Sequence, residues 1–318
     1  LIGRGTGLGF VGVAWQTVAM YLDPRNGDRF DLPPWTGPTR SYVVASLPRT
    51  GSTMLCRLLE ATVRVGAPKE YLNPMQLRDW GARLAPWAVQ RMFYARLHGG
   101  LVNLCGRGWW TEAALDRYLD NVRARRTGPT GWFGIKLHYH HFHRWFLQRG
   151  WPAGPHLRAE AWVLITRRDR VAQAISWARA LQTGRWAAQQ TDAFRPIYSR
   201  ALIDRYLRKV EEGEAGWRAW FASQGIVPHE VVYEDLVDDP ERVVRGVLRL
   251  LAVPHADEVN VPPPPTRRQS DPESEAWRLR YALDSTDARG GLTAPAYRRP
   301  MSIHDVKADA EGRPTGRR

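Results

Sequence analysis

Apolar side chains come along this chain in short bursts separated by helix-spaced ones. Ser41-Tyr-Val-Val-Ala-Ser-Leu47 is rich in β-formers and is stopped by Pro48; Thr50-Gly51-Ser52-Thr53 follows, and then Met54, Leu55, Leu58 and Leu59 recur on one helical face until about Thr62. That is the pattern of a strand, a tight loop and a helix. Two further strands are predicted over 132–137 and 161–166, each bounded by polar residues or glycine. Helices are predicted over 170–182, where Val171, Ile175, Ala178 and Leu181 share a face, and over 202–221, through Tyr206, Val210 and Trp217. A short strand over 230–233 and a helix over 240–251 with proline near its start complete the series. Strands separated by helices in this way predict an α/β fold, a P-loop-NTPase-like parallel sheet flanked by helices, with ligands at the carboxyl ends of the strands.

The Trp-, Arg- and Leu-rich stretch from Pro74 to Thr130 reads as a helical insertion after the first helix. Residues 1–40 are expected to form an unstructured leader, 41–283 a single domain and 284–318 a flexible tail, with Pro262–Pro265 a stiff spacer. Within the leader, the apolar run Leu8–Met20 is too short for a membrane span, so stable membrane insertion is not expected; residues 1–19 read as leader or upstream translation before Met20, with an export signal as the rival.

Composition excludes a disordered or fibrous protein: of 318 residues, 43% are hydrophobic and 25% charged. The 46 basic against 32 acidic residues give a net charge of +14, which points to an anionic ligand or polyanionic partner. Lysine occurs only at 69, 136, 209 and 307, so the charge is almost all arginine, spread through the chain, and the aromatics fall at core spacing; a nucleic-acid partner is therefore not expected. Cys56 and Cys105 allow at most one bridge, and a reducing cytoplasm is the simpler expectation.

The chemistry concentrates at the first strand–loop–helix. A turn with Gly51 and several hydroxyls presents free backbone N–H groups at a helix N-terminus, a ready site for phosphate or sulfate. A nucleotide kinase or NTPase needs a lysine in that loop, and none lies nearer in sequence than Lys69; Arg49 stands in it instead. His138-Tyr139-His140-His141-Phe142-His143 supplies imidazoles suited to proton transfer, and without a cysteine or carboxylate at ligand spacing no metal is expected there. Trp217, Trp220 and Phe221 read as core, and Glu211, Glu212 and Glu214 as a solvated helix face.

Read together, Pro48-Arg-Thr-Gly-Ser-Thr53, Gly66-Ala-Pro-Lys-Glu-Tyr71, Gly134-Ile-Lys-Leu137, Arg167 through Ser176, Glu214 through Phe221, Tyr233 through Leu236 and Arg268 through Asp271 resemble the blocks of the bacterial trehalose sulfotransferase family, in order. The resemblance implies transfer of the sulfuryl group of 3′-phosphoadenosine 5′-phosphosulfate (PAPS) to a carbohydrate hydroxyl, with no metal. It implies that Arg49, Thr50, Gly51, Ser52 and Thr53 hold the 5′-phosphosulfate, that Arg167 and Ser176 hold the 3′-phosphate, and that Arg268 closes over the nucleotide. It also implies Glu70 as the base, a histidine of 138–143 being the rival, Lys136 as positive charge near the leaving phosphate, and Tyr71, His138 and His140 at a small-molecule acceptor. The acceptor-facing stretch from Leu72 departs from the family pattern, so a hydroxylated natural product stays open beside a trehalose-like sugar, and a homodimer is allowed.

Overall fold

The computed structural model describes residues 23–84, 110–184, 186, 194–263 and 272–289. Four parallel strands form its sheet: β1 (Arg40–Ser46), β2 (Trp132–His138), β3 (Ala159–Thr166) and β4 (His229–Val232), in the order β2-β1-β3-β4. Because the chain leaves β1 for one side and returns on the other, the carboxyl end of β1 opens at the switch point where ligands of such sheets bind.

The strands are buried on both faces, as their nearly continuous apolar sequences require. Alternation along β1 assigns each face. Tyr42 and Val44 join a core with α1 (Ser52–Ala61), while Val43 and Ala45 join another. That second core packs against α2 (Pro74–Leu84), α3 (Glu112–Arg126) and α4 (Tyr139–Trp145). The short α5 (Ala153–Leu157) precedes β3, and α6 (Arg170–Thr183) follows it, started by Asp169, whose carboxylate accepts from the Ala172 amide at 2.9 Å. The long α7 (Arg200–Ser223) buries Trp217 and Phe221 against β3 Trp162, as their spacing predicts, with Trp220 partly buried beside them. Past β4, α8 (Tyr233–Asp238) and α9 (Pro240–Leu250) cover the face shared with α1.

Three expectations are corrected. First, the segment from Asp23 is packed rather than unstructured: two 3₁₀ turns, Pro24–Asn26 and Asp28–Phe30, are held by Arg126, which is fully buried and donates to the carbonyls of Arg25, Gly27 and Phe30. A buried guanidinium needs such acceptors, and this segment supplies them. Second, a helix α10 (Pro272–Arg289), anchored by buried Trp277 against Tyr198, continues past residue 284, where the flexible tail was expected to begin. Third, Glu214 is not on a solvated face; it is buried and paired with Arg170 at 2.6 Å. Residues 1–22, Cys105, the spacer's end and the tail beyond 289 lie outside the described residues, and among the described ones no helix is long and apolar enough to cross a membrane.

Candidate active site

The loop after β1 is shaped by two residues with left-handed backbones, Arg49 at φ 68° and Gly51 at φ 78°. The glycine is obligatory twice over, since a Cβ there would lie 2.3 Å from the Tyr233 ring. Thr50, fully buried, donates its hydroxyl to the Leu47 carbonyl at 2.9 Å, and Gln173, also fully buried, donates to the Pro48 carbonyl at 2.9 Å. The loop is thus clamped from its own turn and from α6. Its last glycine leads into the N-terminus of α1 at Ser52, so unpaired amides and the positive end of the helix dipole meet there.

Cations gather around this loop. Arg49 donates through Nε to the Ser176 hydroxyl at 2.8 Å and through Nη1 to the Trp186 carbonyl at 2.9 Å. Arg167 lies over the Tyr233 ring, 4.7 Å from its centroid, with Nη1 3.5 Å from the Arg49 carbonyl. Arg49, Arg167 and Ser176, expected from sequence at the two anionic ends of one ligand, are therefore neighbours. Glu234, in the block Tyr233 through Leu236 that the resemblance picks out, accepts from the amides of Arg168 and Asp169 and so fixes the start of α6.

The carboxylate of Glu70 stands on the β2 side of the same crevice. Period-two alternation puts Lys136 and His138 on one face of β2, and both reach Glu70: Nζ to Oε1 is 2.6 Å and Nε2 to Oε1 is 3.3 Å. Lys136 also donates to the Thr53 hydroxyl at 2.9 Å, so one ammonium joins the segment after β1 to the carboxylate. The loop thus obtains from the neighbouring strand the lysine that its own sequence lacks. Register pairs Ser46 with His138, and Ser46 Oγ lies 2.9 Å from Nδ1. Asn73 donates to the other oxygen, Oε2, at 2.7 Å. Ser46 and Asn73 were not foreseen.

Burial pushes the Glu70 carboxyl up, but the Lys136 ammonium and then His138 more than offset it and hold the group well below the usual carboxylate range. It is an ion at neutral pH. His141, buried behind His138 with no partner for Nδ1, is pushed down to about 2 by burial and then by His140 and His138, and is held neutral.

One expected site residue falls elsewhere. Tyr71 does not face an acceptor: it is fully buried, stacks on Phe133 at 5.6 Å and donates its hydroxyl to the Ala67 carbonyl, because the side chain after Glu70 turns into the core. Lys69, the lysine nearest in sequence to the loop after β1, is buried and pairs with Asp23 at 2.9 Å. His140 is exposed beside His138, their rings stacked at 5.7 Å. Arg268 lies outside the described residues.

Residues 41–284 match the family model described as Stf0 sulphotransferase. The chain is 28% identical to a trehalose 2-sulfotransferase of Mycobacterium tuberculosis (strain Erdman), over 77% of this chain and 96% of that protein. It is 30% identical to the protein of the same description from Mycolicibacterium smegmatis, over 79% and 97%. Among solved structures, the sulfotransferase domain of the Synechococcus PCC 7002 olefin synthase overlays 89% of this chain and 98% of that one with TM-score 0.41 at 17% identity, too loosely to carry an inference.

Proposed function

The chain belongs to the Stf0 sulphotransferase family, and on that premise we propose that it moves the sulfuryl group of PAPS to a carbohydrate hydroxyl, with Glu70 as general base. The observation that carries this reading is the single ammonium of Lys136 held between Thr53 of the anion loop and Glu70. It sets a proton acceptor beside an anion cradle, the two things an in-line transfer from an anionic donor requires.

The residues suit a donor charged at both ends. Arg49 and the amides around Thr50, Gly51, Ser52 and Thr53 hold the 5′-phosphosulfate, while Arg167 with Ser176 holds the 3′-phosphate. The acceptor oxygen forms its bond to sulfur as the sulfur–oxygen bond to the 5′-phosphate breaks; the electron pair leaves with that phosphate and the acceptor proton passes to Glu70. Arg49 and Lys136 offset the charge that grows on the leaving oxygen. A carboxylate tied to Lys136 is a weak base. Donor anions compete for that ammonium, and as the pair loosens the carboxylate becomes more basic at the moment it is needed. His138 keeps Glu70 aimed, and with His140 it borders the acceptor.

Trehalose or a trehalose-like sugar is the acceptor this reading favours, on the likeness to the two trehalose 2-sulfotransferases. The catalytic domain is taken as residues 41–283 together with the packed segment from Asp23 and the end of α10. Calorimetric titration with adenosine 3′,5′-bisphosphate, with ATP·Mg as comparator, tests the donor site, and transfer of labelled sulfate from PAPS to trehalose tests the acceptor. Tight 1:1 binding of the bisphosphate, lost in Arg167→Ala, is expected. Preference for ATP·Mg would overturn the donor assignment, and transfer only to non-carbohydrate hydroxyls would overturn the acceptor.

A further inference from the structure

Lys69 and Glu70 are neighbours on a stretch that bridges to β2: Lys69 pairs with Ile135, and the Lys136 amide donates to the Lys69 carbonyl at 2.9 Å. On such an extended stretch successive side chains leave on opposite sides, so whatever fixes Lys69 on one side aims Glu70 on the other. The Lys69 side chain is 4% exposed, and its ammonium is gripped by Asp23 at 2.9 Å and by the Asn26 side-chain oxygen Oδ1 at 2.7 Å. Asn26, fully buried, donates to Asp79 of α2 at 2.9 Å, and Asp79 also accepts from the Asp23 amide at 3.0 Å. Asp23 is held as well by Arg25, whose Nη2 lies 3.1 Å from Oδ2, and such a hydrogen-bonded cluster fixes its geometry more tightly than apolar packing does.

Asp23 and Asn26 precede residue 41, where the family match begins. We propose that Lys69 is a positioning residue for Glu70, and that the segment from Asp23 to Asn26 is a working part of the active site because it holds Lys69 in place. The inference rests on Glu70 being the base. Removal of Asp23 leaves a buried ammonium short of its counter-ion, and the stretch shifts to solvate it, carrying Glu70 away from Lys136 and His138.

The test compares Lys69→Met, Asp23→Asn and Asp23→Asn/Lys69→Met with Glu70→Gln in the full chain. It measures kcat and KM with PAPS and trehalose, affinity for adenosine 3′,5′-bisphosphate, and exchange of the Lys136 amide proton. Expected is a fall in kcat of about 10- to 100-fold in both single variants, the cost of a misplacement near 1 Å. Bisphosphate affinity stays within about threefold, because Lys69 and the anion loop share no contact, and Lys136 amide exchange speeds up in both. The double variant removes both charges, so a purely structural role predicts that it recovers thermal stability and kcat together; a positioning role predicts recovered stability with kcat still low. Unchanged kcat and unchanged exchange in the single variants overturn the inference, as does full recovery in the double. Activity persisting in Glu70→Gln overturns the assignment of the base itself. Where trehalose is not turned over, unchanged Lys136 exchange in a folded Asp23→Asn still overturns it.

Discussion

Replacing Lys136 by methionine keeps the bulk of the side chain and removes the ammonium that Glu70 and Thr53 share. At 2.6 Å and an effective permittivity of about 20, the attraction to Glu70 amounts to about 6 kcal/mol before desolvation. Withdrawing both ions from water costs several kcal/mol each, and Glu70 retains 19% exposure, which screens the pair. A net coupling of about 1–3 kcal/mol remains. Lys136→Met is therefore expected to lose about 2–4 kcal/mol of stability in urea unfolding at pH 7, since it leaves a carboxylate with only His138 and Asn73. Glu70→Gln should lose less, and the double variant should recover about 1–3 kcal/mol relative to the sum. The pH dependence gives an independent check. The Glu70 pKa is depressed in the folded chain, so its contribution is complete above the ordinary value of 4.5 and is lost as pH falls through the lower folded value. Lys136→Met removes the depression, and its stability curve should flatten below about pH 5 relative to the parent. A coupling below about 0.5 kcal/mol, or parallel acid limbs for parent and variant, would refute the reasoning that this ion pair organises the site.

Arg167→Ala should weaken adenosine 3′,5′-bisphosphate binding by about 10- to 100-fold, as expected for losing a charge-assisted contact to phosphate, while KM for the acceptor stays within a factor of about two; equal effects on both would place Arg167 elsewhere. Gly51→Ala should cost about 2–4 kcal/mol, combining a left-handed backbone with a Cβ 2.3 Å from Tyr233, and Tyr233→Ala in the same chain should recover the steric share, as urea midpoints will report. His141 is neutral when folded and takes up a proton near pH 6.5 when unfolded, so protonation of the unfolded chain erodes stability as pH falls below that value. His141→Gln should remove a slope of about 1.4 kcal/mol per pH unit between pH 6 and 5, and unchanged slopes would show that this imidazole is not buried as described.

Much of the architecture could be read without coordinates, because strand and helix periodicities are local. The run from Ser41 to Ser46 alternates between two cores as its period requires, and Asp169 and Pro240 start helices where capping rules put them. The anion loop was legible for the same reason: Gly51 and its hydroxyls are contiguous. Errors arose where a residue's role depends on distant partners. Tyr71 looks like an acceptor contact only until the direction of the stretch carrying Glu70 is known. Glu214 looks solvated until Arg170 is brought beside it, and residues from Asp23 look idle until Arg126 and Lys69 need their oxygens.

The sequence alone determined the four strands, the helices that follow them and their order, and marked the first loop as suited to an anion, since backbone propensity, capping and side-chain period act over a few residues. Only the tertiary structure decided which charges meet. The register between β1 and β2 sets His138 against Ser46, and the bridge from Lys69 to β2 lays Glu70 along Lys136. Those pairings turn on strand register, where a shift of one residue exchanges the two faces of the sheet. No local pattern in the chain specifies that choice; the burial of both faces does.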